Sequence, residues 1–131
     1  MTSKKSISIY PSAALESALT SRVSGRDRSA TISRCMERYA EVCARCLPTL
    51  TSQEWVFLLE VLGCVKWESG ISAAHFMLEL RDRSQAVKGR HEINSSVLVD
   101  KIKSWTYAEC VAVVDAMEIE QIRKENANES A

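Results

Sequence analysis

Within the first 47 residues the hydrophobic period changes from two to about 3.6, and the change is punctuated by Pro11, Gly25 and Pro48. From Lys5 to Tyr10, Ile7 and Ile9 alternate with Ser6 and Ser8, the pattern of a half-buried strand. Pro11 has no N–H to donate, so it ends a ladder and suits the first turn of a helix. From Ser12 to Val23 the residues Ala14, Leu15, Ala18, Leu19 and Val23 fall on one helical stripe. Gly25 can take the left-handed conformation that closes this helix, and Asp27 is a good N-cap for the next. That second helix carries Ile32, Cys35, Met36, Tyr39, Val42, Cys43 and Cys46 on one face and is expected to end near Leu47, before Pro48.

One short strand and two helices are too little to bury a core alone. A lone strand also leaves both edges unpaired. Pairing two copies antiparallel across a two-fold axis answers both problems, with four helices covering the isoleucine face and the serine face outward. A two-stranded ribbon of this kind fits the major groove of B-DNA.

The run Lys4-Lys5-Ser6-Ile7-Ser8-Ile9-Tyr10-Pro11, followed by Gly25-Arg26-Asp27-Arg28-Ser29-Ala30-Thr31-Ile32, resembles the ribbon-helix-helix repressors of the Arc/MetJ/CopG group over about residues 4–46. The resemblance implies a mainly α fold with an N-terminal ribbon-helix-helix that forms an intertwined homodimer. It implies that Lys4, Ser6 and Ser8 read base edges and that Arg26, Arg28 and Ser29 hold phosphate, as helix N-termini do. It also implies a dimer core of Ile7, Ile9, Leu15, Leu19, Ile32, Met36 and Tyr39.

Charge distribution agrees with a polyanionic partner for the front of the chain. Net charge is zero, yet residues 1–47 hold eight basic and four acidic side chains, a net of +4. The remaining residues hold nine basic and thirteen acidic ones, a net of −4.

Residues 48–122 read as an all-helical second domain. Thr51-Ser52-Gln53-Glu54 has the capping-box pattern and precedes Trp55, Leu58, Leu59, Leu62 and Val65 at helical spacing. Gly70 marks a break, and Ile71 to about Leu80 is a further amphipathic segment with Ala74, Met77 and Leu78. Arg81 to Glu92 read as a loop or a frayed helix end. Ile93 to Trp105 and Tyr107 to Ile122 read as two more helices, the last capped by Thr106 with Glu109 three residues on. Residues 123–131 are polar and read as a flexible tail. Trp55, Trp67 and Trp105 all fall in the helical domain and are expected in its core.

Other chemistries are weakly marked. Cys43-Ala44-Arg45-Cys46 is a CxxC, but zinc wants four ligands, and the two histidines, His75 and His91, are distant and unpaired. Redox chemistry wants such a pair at a helix start, whereas this one sits at a helix end. Small core residues account for these cysteines better. No catalytic set and no phosphate-cradling glycine loop appear, so neither an enzyme nor a cofactor is expected. No stretch approaches the ~18 apolar residues of a membrane span. The amino terminus lacks a signal peptide's apolar segment, and the five cysteines make an odd set, which together point to the cytoplasm.

The expected function is sequence-specific double-stranded DNA binding as a dimeric transcriptional regulator, a repressor in the simplest case, with an antiparallel β-ribbon in the major groove. Assembly into a tetramer on DNA, and a protein partner held by the helical domain, are compatible with it. The same module would serve an accessory protein of plasmid transfer or partition, or an antitoxin whose helical domain binds its partner.

Overall fold

The computed structural model describes residues 12–20, 28–68 and 70–130. In chain order the helices are α1 (Ala13–Thr20), α2 (Arg28–Cys46), α3 (Ser52–Leu62), α4 (Ala73–Arg83), a short 3₁₀ turn (Ser84–Val87), α5 (Ser95–Ser104) and α6 (Tyr107–Ser130).

All regular structure among the described residues is helical, with no strand and no sheet. This corrects the expected fold class. The ribbon-helix-helix architecture, with its β-ribbon, is not seen among the described residues. The alternating run from Lys5 to Tyr10 lies outside the described residues. The physical reason is that, over the described residues, apolar side chains recur at helical spacing in segment after segment.

The chain divides into two compact units, Met1–Tyr39 and Ala40–Ala131, with the boundary inside α2. In the first unit α1 and the start of α2 are linked by an ion pair between Arg28 and Glu16. Thr31 is buried there, and its hydroxyl accepts a hydrogen bond from Arg34 at 3.2 Å.

The second unit holds the main core. Leu58 and Leu62 of α3, Phe76 of α4, Leu98 and Ile102 of α5, and Cys110, Val113 and Met117 of α6 are almost fully buried. Each large aliphatic or aromatic side chain removed from water in this way contributes about 1.5–3 kcal/mol. Trp105 joins this core, while Trp55 and Trp67 pack against it half-buried. Phe76 stacks on Trp67 with centroids 4.6 Å apart and meets Trp105 edge-on at 5.5 Å.

The helix ends are set by side-chain caps. At α3 the Thr51 hydroxyl accepts from the Glu54 N–H at 3.1 Å, and the Glu54 carboxylate accepts from the Thr51 N–H at 2.9 Å, a complete capping box. Ser72 caps α4 and Asn94 caps α5, each accepting from the backbone N–H three residues on. Thr106 and Glu109 exchange the same reciprocal pair of bonds at the start of α6. That helix then runs to Ser130, taking in polar residues from 123 onward.

Candidate nucleic-acid interface

The described part of the basic segment is centred on α2, which is amphipathic along its whole length. Arg34, Arg38 and Arg45 stand at helical spacings of four and seven, so they share one side of the helix, and all three are exposed. Arg45 pairs with Glu41 one turn earlier at 2.7 Å, with both side chains largely in solvent. Such an exposed pair is weak. Arg38 has no ion pair among the described residues.

Turned away from the arginines, Ile32, Cys35, Met36, Tyr39, Val42, Cys43 and Cys46 form the apolar stripe. Within one chain only Cys43 is buried, at 5% exposure, whereas Met36 is 57% and Val42 52% exposed. Tyr39 is exposed at 38%, and Ile32, Cys35 and Cys46 are half-buried. The stripe is therefore exposed at Met36, Tyr39 and Val42.

Of the residues expected to bind phosphate, Arg28 and Ser29 lie exposed in the first turn of α2, and Arg28 is engaged by Glu16. Arg26 lies outside the described residues, as do the expected base readers Lys4, Ser6 and Ser8 and the expected core residues Ile7 and Ile9. Leu15 and Leu19 fall on α1, with side chains outside the described set. Ile32, Met36 and Tyr39 fall together on the open stripe of α2.

Sequence reasoning missed a cluster in the second unit. Glu60 of α3 accepts from His91 Nε2 at 2.5 Å and pairs with Arg90, about thirty residues away in the chain. The His91 bond, with the Arg90 charge beside it, outweighs partial burial and holds the Glu60 carboxyl below its ordinary value. The His91 ring meets Phe57 edge-on at 5.4 Å. His75 is a packed residue, edge-on to Trp67 at 4.9 Å. Among the described residues no group of three His, Cys, Asp or Glu side chains is arranged to hold a metal ion. No helix among them is long and apolar enough to cross a membrane.

Compared with known proteins, the chain matches no family model, no curated protein and no solved structure.

Proposed function

We propose that the chain is a cytoplasmic, dimeric DNA-binding regulator of transcription that holds double-stranded DNA through the basic residues of segment 1–47. The observation that carries this reading is the division of charge: a net of +4 up to Leu47 and −4 beyond it, in a chain of zero net charge. Arg34, Arg38 and Arg45 on the polar side of α2 supply phosphate contacts, since guanidinium groups take phosphate bidentately and displace condensed counterions. Arg28 and Ser29 add to them at the start of the helix, where unsatisfied backbone N–H groups favour an anion.

The second copy covers the apolar stripe. Met36, Tyr39 and Val42 recur at helical spacing, so two copies of α2 related by a two-fold axis present the same patch to each other. A dimer of this kind doubles the basic surface and matches a DNA site with an inverted repeat.

The test is fluorescence anisotropy on the duplex upstream of the protein's own gene against a random duplex, at two salt concentrations. Preference for the upstream duplex, with affinity falling steeply as salt rises, supports the reading. Absence of binding by a protein confirmed to be dimeric overturns it.

A further inference from the structure

The second unit carries a groove that the DNA reading does not use. It has two adjoining halves of about 240 and 260 Å³, which share Phe57, Ser84, Ile93 and Ser95 as a common wall. Each is a little smaller than the roughly 300–1,000 Å³ of drug-sized ligand sites, which suits a small ligand lying across the shared wall. The halves differ in chemistry. One is apolar, floored by Met77, Leu80, Leu98 and Val99, with Arg81 at its edge. The other is lined by Gln85, Lys88 and His91 along with the shared serines.

The polar half is held in place from both sides. Val87 is buried, and its carbonyl accepts from the Arg90 N–H at 3.1 Å, closing a tight turn. Lys88 has φ −57° and ψ 127°, and Gly89 has φ +85°, the pair of a type II turn whose second corner favours glycine. Beyond the turn, Arg90 and His91 are both anchored on Glu60. The wall bearing Lys88 is therefore preorganised.

Charge selects the occupant. No carboxylate lines either half, and Lys88 has no acidic partner among the described residues. Among the described residues Arg81 pairs only with Asp82, at 3.7 Å, with both side chains mostly in solvent. His91 already spends its Nε2 on Glu60. An apolar trough with cations at its rim, and no anion of its own, complements a small molecule with an apolar body and one acidic head.

We propose that this groove binds a small amphipathic carboxylate, with the hydrocarbon or aryl body on Met77, Leu80 and Leu98 and the carboxylate toward Lys88. The chain would then carry a ligand site in its acidic helical unit, separate from the basic segment.

The experiment titrates the full chain, without DNA, with 4-phenylbutyrate and with its neutral amide while following ¹H–¹⁵N shifts. The expected result is saturable shifts at Phe57, Ser84, Lys88 and Ser95, with the acid binding about fivefold tighter than the amide. Lys88→Gln, at an exposed turn position, is expected to abolish that preference while leaving amide binding and the rest of the spectrum unchanged. Ser84→Trp fills the shared wall and is expected to prevent binding of both compounds. No saturable shifts, shifts centred elsewhere, equal binding of acid and amide, or a preference that survives Lys88→Gln each overturn the proposal. Because no DNA is present, none of these outcomes bears on the nucleic-acid reading.

Discussion

Lys101 Nζ donates to Glu54 Oε1 at 2.6 Å, so a lysine in the last turn of α5 is tied to the carboxylate that closes the capping box of α3. Glu54 is buried, and the same oxygen accepts from the Thr51 N–H. One carboxylate thus satisfies a helix end and a cation 47 residues away in the chain. Replacing it removes both at once.

Glu54→Ala is therefore expected to destabilise the protein by about 2 kcal/mol, roughly half from the lost cap and half from a stranded, partly buried ammonium. Lys101→Met, which keeps the stem, is expected to cost less, about 1 kcal/mol. Urea unfolding followed by tryptophan fluorescence measures both. Equal stabilities for wild type and Glu54→Ala would mean that the carboxylate holds nothing.

The pH dependence of the same pair has a definite sign. Burial alone pushes the Glu54 carboxyl up, but the bonds from Lys101 and Thr51 outweigh it and hold it below its ordinary 4.5. A depressed folded-state value means stability that is full above the unfolded value and lost as pH falls through the folded one. Unfolding midpoints should drop below about pH 4.5 in wild type, and drop less in Glu54→Gln, which has no charge to lose.

Asp115 behaves in the opposite way. Burial pushes its carboxyl up, and it has no ion-pair partner among the described residues. A raised folded-state value means that ionising Asp115 opposes folding at neutral pH and that the penalty disappears in acid. Asp115→Asn should stabilise the protein at pH 7, by under about 1 kcal/mol, and change little at pH 3. A variant no more stable than wild type at pH 7 would contradict this.

The open stripe of α2 predicts association. Met36→Glu and Val42→Glu place charges on exposed positions, so they should leave helix content and thermal stability of the monomer nearly unchanged. Both should shift the mass measured by light scattering from two chains to one. A wild type that is monomeric at all concentrations would remove the stripe's assigned role.

Helical spacing made the helices α3 to α6 legible, and in α3 also the buried Leu58 and Leu62, but in α4 the expected stripe of Ala74, Met77 and Leu78 is exposed or half-buried and Phe76 and Leu80 face the core instead. The capping boxes at Thr51 and Thr106 were legible too, since the partner stands three residues away. The long-range pairs were not. Nothing local to Glu60 points to His91, and nothing near Glu54 points to Lys101, so both appear only once the helices are packed. Arg81 to Glu92 read as a loop or a frayed helix end; α4 ends at Arg83, and the 3₁₀ turn Ser84–Val87 that follows, with Val87 buried, was not legible. The expected ribbon is not found among the described residues, and the alternating run of Ile7 and Ile9 that suggested it lies outside them. On α2 the apolar stripe was legible, but its exposure was not, because spacing says which residues share a face and not what covers it.

The central claim is that the arginines of α2 meet DNA phosphates. The measurement that tests it most directly is the slope of log affinity against log salt for wild type and for the double variant Arg34→Ala, Arg38→Ala, on one duplex. Each phosphate contact contributes about 0.9 to the magnitude of that slope. With two arginines lost from each of two chains, the double variant is expected to show a slope shallower by about 3.6, with weaker binding at every salt concentration and an unchanged dimer. An identical slope in the two proteins, or no DNA binding by wild type, would contradict it.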